Sequence, residues 1–203
     1  MSKTPIFIGV GGGTASGKTS VATLLANVSQ GVPVISLDHF YLECKGDGES
    51  HNWDDPDSFD WILLIECMNK WKSGQSAWIP RHDFSEYRRV NDAALIEVSP
   101  VMIFEGIHMF HDARVNHLLD LKVFIDCDPD EALCRRIKRD MEERHYNLDV
   151  ILTRYRKHVK PAYDRWILPT RNIVDVVIVN GIDKDLTSHK GLNILFSYIK
   201  TKL

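Results

Sequence analysis

The run Gly12-Gly13-Thr14-Ala15-Ser16-Gly17-Lys18-Thr19 satisfies G-x-x-x-x-G-K-[ST] and restricts the fold more than any other part of the chain. Such a run cradles phosphate only where a buried strand turns into a helix, and its flanks have that character. Ile6-Phe7-Ile8-Gly9-Val10 is a short apolar, β-rich run that ends in glycines. After it, Val21, Leu24, Leu25 and Val28 recur at helical spacing, which predicts a helix from Lys18 to about Ser29 stopped by Gly31 and Pro33. The glycines let the backbone close around an anion with its N–H groups inward, and the helix N-terminus adds partial positive charge. Gly12 to Thr19, with Ser20 next on the helix, are therefore expected to hold the phosphates of a nucleoside triphosphate. Lys18 would neutralise the β- and γ-phosphates, and Thr19 would ligate Mg²⁺.

Four more apolar runs have strand length: Val32 to Leu37, Val101 to Phe104, Lys122 to Asp126 and Val174 to Val179. Helix-like sequence separates them, so the expected architecture is α/β, with a parallel sheet covered on both faces. Asp57 to Trp71 is helical by pattern, and residues 77–98 alternate weakly, as a β-hairpin insertion would. Asp128-Pro129-Asp130-Glu131 supplies an N-cap, a proline at the first helical position and an acid three residues after the cap, opening a helix that runs to about Arg144. A helix from Leu148 to Val159 is expected to stop at Pro161, and a last one covers about Leu186 to Ile199. No repeat or linker interrupts residues 1–203, which read as one domain carrying the hairpin and a lid over about residues 135–160.

Composition narrows the functional classes. A chain of 203 residues with 44% hydrophobic and 26% charged residues belongs with globular proteins. Its 25 basic and 28 acidic residues give a net charge of −3, so no global field exists to hold nucleic acid or an acidic membrane surface. Any anion site must be local. Cys44, Cys67, Cys127 and Cys134 form no C-x-x-C pair and read as reduced thiols. No segment has the apolar length of a membrane helix or of a secretory leader, which makes the cytoplasm the expected compartment.

Three groups of side chains carry the expected chemistry. Glu105 ends the apolar strand Val101-Met102-Ile103-Phe104, where a carboxylate beside a phosphate loop helps hold Mg²⁺; the same residue in an ordinary strand would merely face solvent. Asp38 ends Val34-Ile35-Ser36-Leu37, and ligands of open α/β sheets bind outside the carboxyl ends of strands. Asp38 can therefore meet the phosphates and accept the proton of an attacking hydroxyl, unless it is only a turn residue. Arg135, Arg136, Arg139 and Arg144 lie on or just beyond one helix; they form either a solvated face or a lid that stabilises charge on the transferring phosphoryl group.

Taken together, the chain resembles the uridine–cytidine kinase family, within the wider group that includes phosphoribulokinase, pantothenate kinase and nicotinamide riboside kinase. The resemblance spans nearly the whole chain. It rests on the phosphate loop, Leu37-Asp38-His39-Phe40-Tyr41, Asp54-Asp55-Pro56-Asp57-Ser58-Phe59-Asp60, Phe104-Glu105-Gly106-Ile107, Arg135-Arg136 through Arg139-Asp140 to Glu143-Arg144, and Val159-Lys160-Pro161-Ala162-Tyr163. It implies a P-loop kinase with a five-stranded parallel sheet, a hairpin by the acceptor pocket, an arginine-bearing lid, and transfer of the γ-phosphoryl group of ATP or GTP to a ribose 5′-hydroxyl. By matching position Asp38 is the base, Tyr41 a pocket residue, Asp54 and Arg136 readers of ribose hydroxyls, and Arg139 and Arg144 phosphate contacts. The resemblance also implies homo-oligomers.

The positions that read the base depart from the family pattern. His82 stands where Tyr is usual, Tyr87 where His is usual, Tyr146 in place of Arg, Arg154 in place of Gln, and Trp53 in place of a smaller aromatic. Uridine or cytidine is the expected acceptor, with another ribosyl compound such as nicotinamide riboside as the alternative. A GTPase would carry N-K-x-D after a late strand, and Asn180-Gly181-Ile182-Asp183 does not match it. The further alternative, a nucleotide-binding module without chemistry, is disfavoured because Lys18, Thr19, Asp38 and Glu105 are all present.

Overall fold

The computed structural model describes residues 4–44, 46–48, 50–83, 86–181, 186 and 189–203. Ile182 and Asp183 of the late Asn180 run, and the second and third residues of the expected last helix, lie outside them. Five parallel strands form the main sheet: β1 (Ile6–Gly12), β2 (Val34–Ser36), β5 (Val101–Gly106), β6 (Leu121–Asp126) and β7 (Val176–Val179). They lie in the order β2-β5-β1-β6-β7. A separate antiparallel hairpin, β3 (Ala77–Asp83) and β4 (Arg88–Ile96), is the expected insertion.

Alternation along the central strands builds two cores. Phe7, Met102, Phe104 and Phe124 point to one face and pack with Met68, Trp71 and Phe40. Ile8, Val10, Ile103, Val123 and Ile125 point to the other and pack with α1 (Lys18–Val28) and the C-terminal helix through Val21, Leu25, Leu192, Leu195 and Ile199. Each side chain fully removed from water contributes about 1.5–3 kcal/mol, so the central strands anchor the molecule from both sides. Register then fixes the site. Ser36 pairs with Glu105 and Glu105 with Val10, which brings the ends of β2, β5 and β1 level along one edge.

The helices differ from expectation in three places, each for a local reason. The helix expected from Asp57 begins only at Trp61, as α2 (Trp61–Lys72), because Phe59 is extended and bridges Tyr41 while Asp60 caps the Leu63 N–H at 3.0 Å. Asp55 caps a short 3₁₀ turn, Pro56–Ser58, just before it. A short helix, α3 (Ala113–Leu118), was too brief for periodicity to reveal; Asp112 accepts the Arg114 N–H at 2.7 Å to start it. Most visibly, Pro161 does not end a helix. After α4 (Pro129–Glu142), α5 (Leu148–Arg154) passes into a π-helical turn at Tyr155–Val159, then α6 (Lys160–Ala162), then a second π-helical turn at Tyr163–Ile167. Widened turns on both sides absorb the ring and the missing N–H that would break a regular helix. The last helix, α7 (Lys190–Lys200), follows β7. Among the described residues no helix is long and apolar enough to cross a membrane.

Candidate active site

The phosphate loop is fully formed. Gly12 (φ 147°) and Gly17 (φ 92°) occupy backbone conformations that side chains rarely adopt, and a Cβ on Gly12 would fall 2.5 Å from the Ile125 carbonyl oxygen. Gly13, Thr14, Ala15 and Ser16 make the curve, while Lys18, Thr19 and Ser20 open α1. From the far side, the buried Asn180 donates from Nδ2 to the Ser16 carbonyl at 2.8 Å. Nothing in the sequence flagged Asn180 as a brace for this loop.

Thr19 Oγ1 donates to Glu105 Oε2 at 3.2 Å, and Glu105 is only 4% exposed. Two hard oxygen donors thus converge beside the phosphate loop, a donor set that suits Mg²⁺. Among the described residues no group of three or more His, Cys, Asp or Glu side chains is disposed to hold a metal ion, so an ion here would take its remaining ligands from water and phosphate.

Next to it lies a cavity of about 450 Å³. Thr14, Lys18 and Asp38 line one end, Tyr41, Trp53 and Asp54 a wall, and Arg136, Arg139 and Arg144 the lid side. Asp38 sits on a 3₁₀ turn, Leu37–Phe40, directly after β2, with its N–H held by Ser36 Oγ at 3.3 Å. Asp38 keeps an exposed surface toward the cavity, but the protein packed around it desolvates the carboxyl and raises its pKa, while Lys18, Arg144 and Arg139 pull it down. Asp54 is likewise raised by burial and opposed first by Arg136. Arg136, itself largely buried, donates from Nη1 to Thr14 Oγ1 at 2.9 Å and so ties the lid to the phosphate loop. A wider, more open hollow of about 910 Å³ borders His51 and Arg89 and includes none of Lys18, Asp38 or Glu105.

The acceptor end is walled by aromatic rings. Tyr41 donates its hydroxyl to the Trp53 carbonyl at 3.0 Å and meets the Trp53 ring edge-on, with centroids 5.3 Å apart. Trp53 stacks on Tyr87 at 5.7 Å and 16°. Tyr87 in turn meets the lid: its hydroxyl bonds that of Tyr146, and Arg154 bonds both phenols while lying 4.6 Å over the Tyr146 ring. Three of the positions that depart from the family pattern, Tyr87, Tyr146 and Arg154, are therefore one cluster. His82 is not part of that surface. It is 6% exposed and stands behind the wall, 5.5 Å from Trp53 and 5.8 Å from Tyr41 between ring centroids. A register shift between Ile79 and Arg81 inverts the alternation of β3, burying His82 where an unbroken strand would turn it outward with Trp78.

One residue that the sequence did not single out organises the lid. Asp140 is 2% exposed and carries three arginines: Arg139 Nη2 at 2.8 Å, Arg136 Nε at 3.3 Å and Arg144 Nη1 at 3.3 Å. Its backbone carbonyl also accepts the Tyr146 N–H at 3.1 Å. The spacing of Arg136, Asp140 and Arg144, each four residues apart, was visible as a helix-face pattern, but such pairs are ordinarily solvated. Removing the carboxylate strands three cations near a buried point. Asp140→Asn should cost about 3 kcal/mol, a fall in Tm of about 6–12 °C. Thermal melting checks the fall, and an unchanged Tm would show that the arginines do not depend on Asp140. Arg135 stands apart, pairing with Glu131 and donating to the Gly181 carbonyl at 3.0 Å.

Known proteins resemble this chain in sequence and in fold. The phosphoribulokinase/uridine kinase family model matches residues 7–187. A chloroplastic uridine/cytidine kinase of Arabidopsis thaliana is 38% identical over 99% of this chain, and uridine-cytidine kinase B of Dictyostelium discoideum is 38% identical over 100% of it. The chain spans 42% of the Arabidopsis protein's length and 84% of the Dictyostelium protein's. A phosphoribulokinase structure from Rhodobacter sphaeroides superposes with a TM-score of 0.65 at 15% identity, over 91% of this chain and 73% of that one, a likeness of fold. The family match over most of the chain, with curated relatives at this identity, establishes that the chain belongs to the phosphoribulokinase/uridine kinase family.

Proposed function

We propose that the chain is a nucleoside kinase that transfers the γ-phosphoryl group of ATP to the 5′-hydroxyl of a ribonucleoside, uridine or cytidine. The observation that carries this reading is the placement of Asp38 at the junction of two subsites: Lys18, Arg139 and Arg144 on its phosphate side, Asp54, Arg136 and the Tyr41–Trp53 wall on the other. The names of the relatives, which act on uridine and cytidine, support the choice of acceptor.

In this reading the loop amides and Lys18 hold the β- and γ-phosphates, with ATP as donor and GTP as the other candidate. Mg²⁺, held by Thr19 and Glu105, would draw charge from the phosphate oxygens when bound. Asp38 accepts the proton of the acceptor hydroxyl as that oxygen attacks, and the surrounding cations oppose the desolvation that favours its protonated form. Arg139 and Arg144 leave Asp140 to meet negative charge spreading over the phosphoryl oxygens. Asp54 and Arg136 bind the ribose hydroxyls. Trp53, Tyr87, Tyr146 and Arg154 face the base, and His82 acts only through the rings in front of it.

The test is an acceptor panel with Mg-ATP, scored by kcat/KM for uridine, cytidine, their 2′-deoxy forms, inosine, adenosine and nicotinamide riboside. The pyrimidine ribonucleosides should lead, and the deoxy forms should fall by orders of magnitude, because a missing hydroxyl leaves buried polar groups unpaired. Phosphorylation of another acceptor, with neither pyrimidine used, would overturn the substrate assignment.

A further inference from the structure

Asp54 does its work from an irregular turn, where no ladder of backbone hydrogen bonds fixes its position. Short-range backbone bonds, Trp53 N–H to the His51 carbonyl at 3.2 Å and Asp55 N–H to the Asn52 carbonyl at 3.1 Å, shape the turn, and side chains tether it. Asn52 Oδ1 accepts the Asp54 N–H at 3.2 Å, Tyr41 bonds the Trp53 carbonyl, and His108 Nε2 lies 2.8 Å from the Asp54 carbonyl oxygen. Only the last of these reaches Asp54 from the central sheet. His108 follows β5 by two residues, three after Glu105, and is 1% exposed.

A carbonyl oxygen only accepts, so Nε2 must carry the proton and the ring must donate. The other nitrogen, Nδ1, is buried with no hydrogen-bond partner among the described residues. Phe59 and Trp166 meet the ring edge-on, at 5.6 and 6.2 Å, and His111 closes the third side at 5.9 Å. Burial lowers the His108 pKa to about 4, so the ring stays neutral and its single N–H has one destination. A leucine would fill this apolar socket without leaving Nδ1 unsatisfied. The histidine contributes one thing that a leucine cannot, a directed bond to the backbone of Asp54.

We propose that His108 is a positioning residue: by holding the Asp54 carbonyl to the end of β5, it sets the Asp54 carboxylate at the distance from the sheet that binding of the acceptor hydroxyls requires. This rests on the reading of Asp54 as a ribose-binding residue. It ties the turn that carries Asp54 to the segment that carries Glu105, so the acceptor and phosphate ends of the cavity keep a fixed separation.

The experiment measures KM for uridine and for ATP, with kcat and Tm, in the full chain and in His108→Leu, His108→Gln, Asp54→Asn and the Leu/Asn double variant. His108→Leu should raise the uridine KM by about three- to tenfold, the loss of one hydrogen bond, with the ATP KM unchanged. His108→Gln, whose amide nitrogen reaches the Nε2 position, should restore most of the loss. In the Asp54→Asn background His108→Leu should add less than twofold. If His108→Leu does not fold, His108→Asn, polar but too short to reach the carbonyl, supplies the same contrast with Gln. A uridine KM within twofold of the parent in the Leu or Asn variant, or equal rises in both KM values, makes His108 a packing residue and overturns the proposal while Asp54→Asn still weakens uridine. An unchanged uridine KM in Asp54→Asn overturns the reading of Asp54 and this inference with it.

Discussion

Asp38→Asn should lower kcat by about 10²–10⁴ while the ATP KM changes little. The substitution keeps the size of the side chain and its place after β2 but removes the group that can take a proton. The Asp38 carboxyl pKa is raised by desolvation in the cleft and pulled back by Lys18, Arg144 and Arg139. The acid limb of the kcat profile should therefore lie above the usual carboxylate range and disappear in the variant. The sign follows from the role: below its pKa Asp38 is protonated and cannot act as base, so activity is lost as pH falls. Single-turnover kinetics separates this chemistry from product release. A loss smaller than tenfold would remove Asp38 from the proton transfer and leave Glu105 as the next carboxylate to test.

The second large effect is expected at Lys18. Lys18→Ala deletes the cation at the mouth of the phosphate loop, and losing a preorganised positive group aimed at developing charge costs about 10²–10³ in turnover. Here the same group also binds ground-state phosphate, so the ATP KM should rise as well. Stability should be nearly unchanged. The side chain is half-buried at the loop and belongs to neither apolar core, and Asn180 braces Ser16 without its help. Steady-state kinetics beside a thermal melt distinguishes the outcomes. Near-parent kcat/KM in a folded Lys18→Ala protein would refute the phosphate-loop assignment.

What could be read from the chain, and what could not, divides by the range of the interaction. The phosphate loop, the central strands and the start of α4 announce themselves through neighbours in sequence: glycines with positive φ, period-two apolar runs, and Asp128 accepting the Asp130 N–H at 3.0 Å ahead of Pro129. Sheet topology, which puts strand ends together, accounts for Asp38 beside the phosphate loop, whereas Asp54 on its turn and Arg136 on α4 were expected in the same cavity only from the resemblance. The rest depends on partners far away in the chain. Asn180 contacts Ser16 across 164 positions and His108 contacts Asp54 across 54, with no pattern between them to reveal either bond. His82, expected at the base only from the resemblance, lies behind the aromatic wall because of a single-residue irregularity in β3, which periodicity cannot anticipate. Asp140 was hidden in plain view, since i,i+4 charge patterns usually mark water-facing helices and this one faces inward.

The charges around the cavity also govern how a polyanion finds it. Lys18, Arg136, Arg139, Arg144 and Arg154 are five cations, and Asp38, Asp54 and Asp140 are three anions, so the lining carries a formal excess of +2. That excess sits in a chain whose net charge is −3. At physiological ionic strength the potential of such a patch fades over about 8 Å, and the rest of the chain carries, by difference from −3, a formal charge of −5. In the proposed reaction a nucleotide is therefore recognised at contact range, by the lining cations themselves, and not gathered from a distance by the field of the whole chain.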